Sequence, residues 1–85
     1  MNDSPLPCSV YRSPKKDGMY LYVPRENPFE RVPAELLQTF GTPGHVIDLD
    51  LTADRKLARV SAPDVIQGIL QKGYYLQMPP LELNR

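Results

Sequence analysis

A single cysteine, Cys8, stands in the chain. One thiol closes no internal disulfide and builds no metal cluster, so a small exported fold that depends on staples is excluded and a reducing compartment is expected. Net charge is missing too: 10 Lys+Arg balance 10 Asp+Glu, with a sequence pI of about 6.5. That removes the whole-molecule basic field that brings proteins to nucleic acid or anionic membrane, and leaves only local patches for such work. Long apolar runs are absent, and the start, MNDSPLPCSVY, has no basic flank followed by an apolar stretch. Neither a signal peptide nor a membrane span is expected, and a cytoplasmic location fits best. Length is also short. A chain of 85 residues makes one domain with a thin core, burying only about 60% of its unfolded surface, which disfavours a deep catalytic cleft.

Proline, by contrast, is plentiful, at 10 residues against an average usage of roughly 5%. Its placement punctuates the chain. Residues 1–7, with Pro5 and Pro7, read as a flexible arm. A first strand over Cys8–Ser13 and a second over Met19–Val23 flank PKKDG, whose Asp17-Gly18 pair is a hairpin signal. In VPAELLQTFG, Pro33 suits the first helical position, Glu35 the first turn, and Gly41 the stop, with Leu36, Leu37 and Phe40 as the apolar stripe. Phe29 or Val32 is placed to staple the entrance of this helix.

HVIDLDL alternates Ile47, Leu49 and Leu51 with Asp48 and Asp50, the pattern of a strand with one wet face. KLARV reads as a fourth strand, whose neighbouring Arg55, Lys56 and Arg59 would lie opposite the two aspartates. SAPDVIQGILQKG is the clearest helix. Ser61 caps it, Pro63 is tolerated in its first turn, Gly73 stops it, and Val65, Ile66, Ile69 and Leu70 form the buried stripe. Gly68 in its interior costs about 1 kcal/mol relative to alanine, unless another backbone passes close by. YYLQM is a last strand, stopped by Pro79-Pro80. The expected architecture is therefore α+β, of ββαββαβ order, with a mainly antiparallel sheet packed by two helices.

Four stretches, VYRSPKKDGMYLYV, FERVPAELLQTFGTP, LTADRKLARVSAPDV and GYYLQMPP, together resemble the YcgL family of small gammaproteobacterial proteins. The resemblance spans residues 8–80 and leaves residues 81–85 as a tail. It implies an α/β/α sandwich in a cytoplasmic bacterial protein. It carries no activity, cofactor or catalytic residue, because none is assigned to the family.

Strand alternation puts Tyr20 and Tyr22 on one side. With suitable register, Tyr11 and Tyr75 would join them beside Arg12, Lys15 and Lys16, giving a stacking platform with a basic rim, suited to RNA or single-stranded nucleic acid. The competing reading packs these tyrosines beneath a helix. His45, Asp48, Asp50 and Asp54 do not make a metal site on this alternation, since His45 would point to the side opposite both strand aspartates. Cys8 is expected as a buried thiol, and Ser9, Ser13 and Ser61 lack the setting of a nucleophile. No catalytic residue, metal or other cofactor is expected. The function that fits is a small non-catalytic protein-binding or adaptor module, with nucleic-acid binding as the alternative.

Overall fold

The computed structural model describes residues 5–57 and 59–79. Its elements run β1 (Leu6–Arg12), β2 (Tyr20–Pro24), α1 (Ala34–Phe40), β3 (Gly44–Leu51), α2 (Ala62–Lys72) and β4 (Tyr75–Gln77). The strands form one sheet of order β3-β1-β2-β4, in which every pairing is antiparallel. β1 begins at Leu6, inside the stretch expected to be an arm, and pairs Leu6 with Leu51. The rest of that arm over residues 1–4, and the tail over 81–85, lie outside the described residues.

The sheet is filled on both faces. One carries Cys8, Val10, Tyr22 and Leu51, which pack with Ala62, Val65 and Ile69 of α2. The other carries Leu21 and Val23, which pack with Met19, Val32 and Phe40, the last from α1. The β1–β2 register sets this division, because Val10 stands opposite Tyr22 while Tyr11 stands opposite Leu21. Helices thus flank a central sheet, as the sandwich expectation required.

α1 has seven residues and follows Pro33, which sits at the N-cap rather than inside the first turn and supplies no side-chain cap. Leu36, Leu37, Phe40 and Phe29 all join the core on that side. α2 is better specified from its own sequence: the Ser61 hydroxyl accepts from the Asp64 amide at 3.2 Å, and Gly73 closes the helix at φ 94°. Its inward face differs from the expected stripe at one place. Ala62, Val65, Gly68 and Ile69 are buried, whereas Leu70 is 65% exposed. A face running through positions 62, 65 and 69 turns position 70 toward water.

The expected strand over KLARV does not form: Lys56, Leu57, Arg59 and Val60 lie outside every strand, and Ala58 is outside the described residues. Leu57 and Val60 instead pack as loop residues against the α2-side core. The proposed charge ladder is absent with it. Asp50 pairs with Arg25 at 3.0 Å, and Asp48 is held by Ser9 and His45.

The hairpin loop after β1 is organised by Ser13. Its hydroxyl accepts from the amides of Lys15 and Lys16 at 3.1 and 3.0 Å, and donates to the Phe40 carbonyl at the end of α1. One buried side chain therefore ties the loop to the helix on the adjoining face.

Candidate functional site

The seven residues of the expected binding surface are not brought together. Tyr22 is 7% exposed, donates from its hydroxyl to Gln77 Oε1 at 3.2 Å, and meets Tyr75 edge-on with ring centroids 6.2 Å apart. Burial pushes its hydroxyl pKa up. Tyr20 and Tyr75 are half-buried against the same α2-side core. Tyr11 lies on the opposite face, stacked edge-on against Phe29 at 4.8 Å and His45 at 5.3 Å. Helix packing has consumed the aromatic surface, so the tyrosines do not make an open stacking platform. The physical reason is register: opposite Leu21, Tyr11 must take Leu21's face.

Of the basic residues, Lys15 turns toward α1 and donates to the Gln38 carbonyl at 3.0 Å, while Lys16 and Arg12 stay exposed at the hairpin end. Arg12 and Tyr20 are cross-strand partners and line a cavity of about 390 Å³ with Ser13, Pro14, Asp17, Gly18, Thr42 and Gly44.

Strict alternation, which would keep His45 away from the aspartates, breaks at one residue of β3. Val10 pairs with Ile47 and Tyr11 with His45, so Val46 is extra and β3 bulges there. A bulge shifts the alternation by one, which returns His45 to the side of Asp48, with Nε2 2.7 Å from Oδ1. The Asp48 carboxyl is held below the usual carboxylate range, first by the hydrogen bond from the Ser9 hydroxyl and next by that with His45. Asp54 is likewise lowered, through the Thr52 hydroxyl at 2.6 Å. Among the described residues, no three or more His, Cys, Asp or Glu side chains are grouped to hold a metal ion.

Cys8 is fully buried, and burial pushes its thiol pKa up from 9.0 to about 11. Since the thiolate is the reactive form, that shift alone leaves about a hundredfold less of it at pH 8 than in an ordinary cysteine. A disulfide exchange reagent is therefore expected to modify the native protein slowly and the urea-unfolded protein at once. Rapid titration of the native thiol would contradict its place in the core.

The structure thus defines a class: a small α+β domain with a helix on each side of an antiparallel sheet. Residues 8–80 match the YcgL domain family, and the chain belongs to that family. Its relatives include a YcgL domain-containing protein of Hydrogenovibrio crunogenus, 53% identical over 80 residues that cover 94% of this chain and 82% of the relative. Another, from Pseudomonas putida, is 55% identical over 75 residues, covering 88% of this chain and 77% of the relative.

The sequence reading missed two features that shape the surface. The Ser13 loop had a signal, since a serine ahead of a turn often accepts from the following amides. The bulge at Val46 had none, because one extra residue in an otherwise alternating run reads as ordinary strand. No helix among the described residues is long and apolar enough to cross a membrane.

Proposed function

We propose that this protein is a non-catalytic cytoplasmic binding module that takes an extended segment of a partner protein along the outer edge of β3. The observation that carries the reading is the contrast between the two sheet edges. β4 has three residues and ends two positions before Pro79, whereas β3 has eight residues and, among the described residues, no strand on its outer side. A long edge of this kind offers backbone donors and acceptors to an incoming strand.

The chemistry of the partner follows from the two faces of β3. Ile47, 46% exposed, and Leu49 share the α2 side, while Asp48 and Asp50 share the other. An incoming strand that alternates apolar residues with lysine or arginine would extend both rows. The bulge at Val46 and the two carboxylates also guard the edge against indiscriminate pairing, which is how a sheet edge acquires specificity.

The test is a short end-capped peptide alternating valine and lysine, titrated into isotope-labelled protein, with a valine–glutamate peptide as control. Amide shifts along Asp48–Leu51 are expected with the lysine peptide alone, and Asp48→Lys should weaken binding about tenfold, equivalent to roughly 1.4 kcal/mol. Equal binding of both peptides, or shifts elsewhere only, would overturn the reading.

A further inference from the structure

At the hairpin end of the sheet, away from the β3 edge used above, three chain segments converge on the cavity of about 390 Å³. Its size falls within the range of roughly 300–1,000 Å³ typical of small-molecule sites. β1 contributes Arg12, β2 contributes Tyr20, and the start of β3 contributes Gly44, which is paired with Arg12. A Cβ built on Gly44 would stand 3.6 Å from Arg12 Cγ and 3.8 Å from Nε. The Arg12 side chain therefore lies across the backbone of β3 along the cavity wall.

A second guanidinium does not line the cavity but touches one of its lining residues. Arg59, on the segment leading to α2, points its Nη2 at the Gly18 carbonyl, 3.4 Å away. Gly18 is itself a lining residue. The ion pairs of the described residues, Arg25 with Asp50 and His45 with Asp48, use neither Arg12 nor Arg59. The Ser13 hydroxyl is fully engaged by the Phe40 carbonyl and two amides, so it fixes the loop and has no part in recognition. Asp17, exposed on the rim, is the one carboxylate in the lining.

Each member of this set has a chemical preference. Planar guanidinium forks match the oxygens of a phosphate. A carboxylate at the same mouth repels a bare dianion but accepts hydrogen bonds from hydroxyls. The half-buried ring of Tyr20 gives an apolar wall with a hydroxyl at its end. An elongated basic groove would be needed for a nucleic-acid strand, and a zero net charge gives no field to support one.

We infer that this cleft binds a phosphorylated sugar, for which pentose phosphates are the probes, with Arg12 and Arg59 on the phosphate and Asp17 accepting from the sugar hydroxyls. That group comes either as a free sugar phosphate or as the ribose phosphate of a mononucleotide. Ribose 5-phosphate, adenosine 5′-monophosphate and inorganic phosphate are to be titrated separately into isotope-labelled protein, following the Gly18 and Gly44 amides. Saturable shifts at these two amides are expected with the pentose phosphates. A tighter fit for the nucleotide than for ribose 5-phosphate would identify the mononucleotide as the source, and an equal fit the sugar phosphate.

Arg12→Gln should weaken pentose phosphate binding by about tenfold or more. Asp17→Asn should weaken it while leaving inorganic phosphate binding equal or stronger. All these side chains are exposed, and an unchanged melting temperature will confirm that each variant is folded. The absence of saturable shifts with either pentose phosphate would overturn the inference. So would affinity for them that survives both Arg12→Gln and Arg59→Gln, or binding of a single-stranded oligonucleotide that outcompetes both small ligands.

Discussion

Replacing Phe40 with alanine is expected to destabilise the protein by about 3–5 kcal/mol, the usual cost of truncating a buried aromatic. Phe40 is fully buried and heads the largest side chains of the core. It closes the face formed with Met19, Leu21, Val23 and Val32, and Leu36, Leu37, Phe29 and Tyr74 pack against that cluster. A domain of this length has a total stability of about 4–13 kcal/mol, so the loss is a large share of the whole.

The helix that carries Phe40 makes matters worse. α1 has seven residues and no side-chain N-cap, well below the length of about 12–15 residues at which an isolated helix becomes even marginal. It persists because its apolar side is docked, and Phe40 is the deepest part of that side. Its carbonyl also accepts the Ser13 hydroxyl, so a displaced helix end loosens the β1–β2 loop as well. Urea unfolding followed by circular dichroism measures the cost, with Phe40→Leu as a control that retains most of the volume. A loss below about 1 kcal/mol for the alanine variant would mean the site refills easily, contrary to the packing described.

The same docking explains which parts of the fold were legible in the sequence. α2 could be read nearly to the residue because its determinants are local: Ser61 to start it, Gly73 to stop it, and apolar residues at helical spacing between. The β1–β2 hairpin was legible for the same reason, through Asp17-Gly18. Pairings between distant segments were not. Alternation along a strand says which residues share a face of that strand, but only register says which residues of the neighbouring strand join them. Tyr11 was therefore grouped with Tyr20 and Tyr22, whereas pairing with Leu21 sends it to the other side of the sheet.

KLARV failed differently. Its apolar residues, Leu57 and Val60, are three apart, and the α2-side core takes up both without any strand. With no strand there, no described residue pairs with the outer edge of β3, which is what the proposed docking needs. The cleft had a partial signal. Arg12 and Tyr20 were singled out as binding residues, but Gly44 joins the lining, and Arg59 touches the lining residue Gly18, only through tertiary structure.

Gly68 gives the other large effect, and its sign is the informative part. In an open helix, exchanging an interior glycine for alanine stabilises by about 1 kcal/mol. Here a Cβ would stand 2.9 Å from Tyr75 Cδ1, 3.3 Å from Tyr75 Cβ and 3.2 Å from the Tyr74 carbonyl oxygen. The ring has no free path away, because it meets Tyr22 edge-on and Tyr22 is hydrogen-bonded to Gln77 of the same strand as Tyr75. The carbonyl belongs to the backbone leading into β4, a strand of three residues that, among the described residues, pairs only with β2. Overpacking of this kind costs about 1–3 kcal/mol, which exceeds the propensity gain. Gly68→Ala is accordingly expected to lose about 1 kcal/mol net, and Gly68→Val, larger and β-branched, about 2–3 kcal/mol. Faster amide exchange at Leu76 and Gln77 should accompany both, because the added carbon pushes on the backbone leading into β4. A stabilised alanine variant with unchanged exchange in β4 would show that the close approach of α2 to this edge is looser than the structure has it.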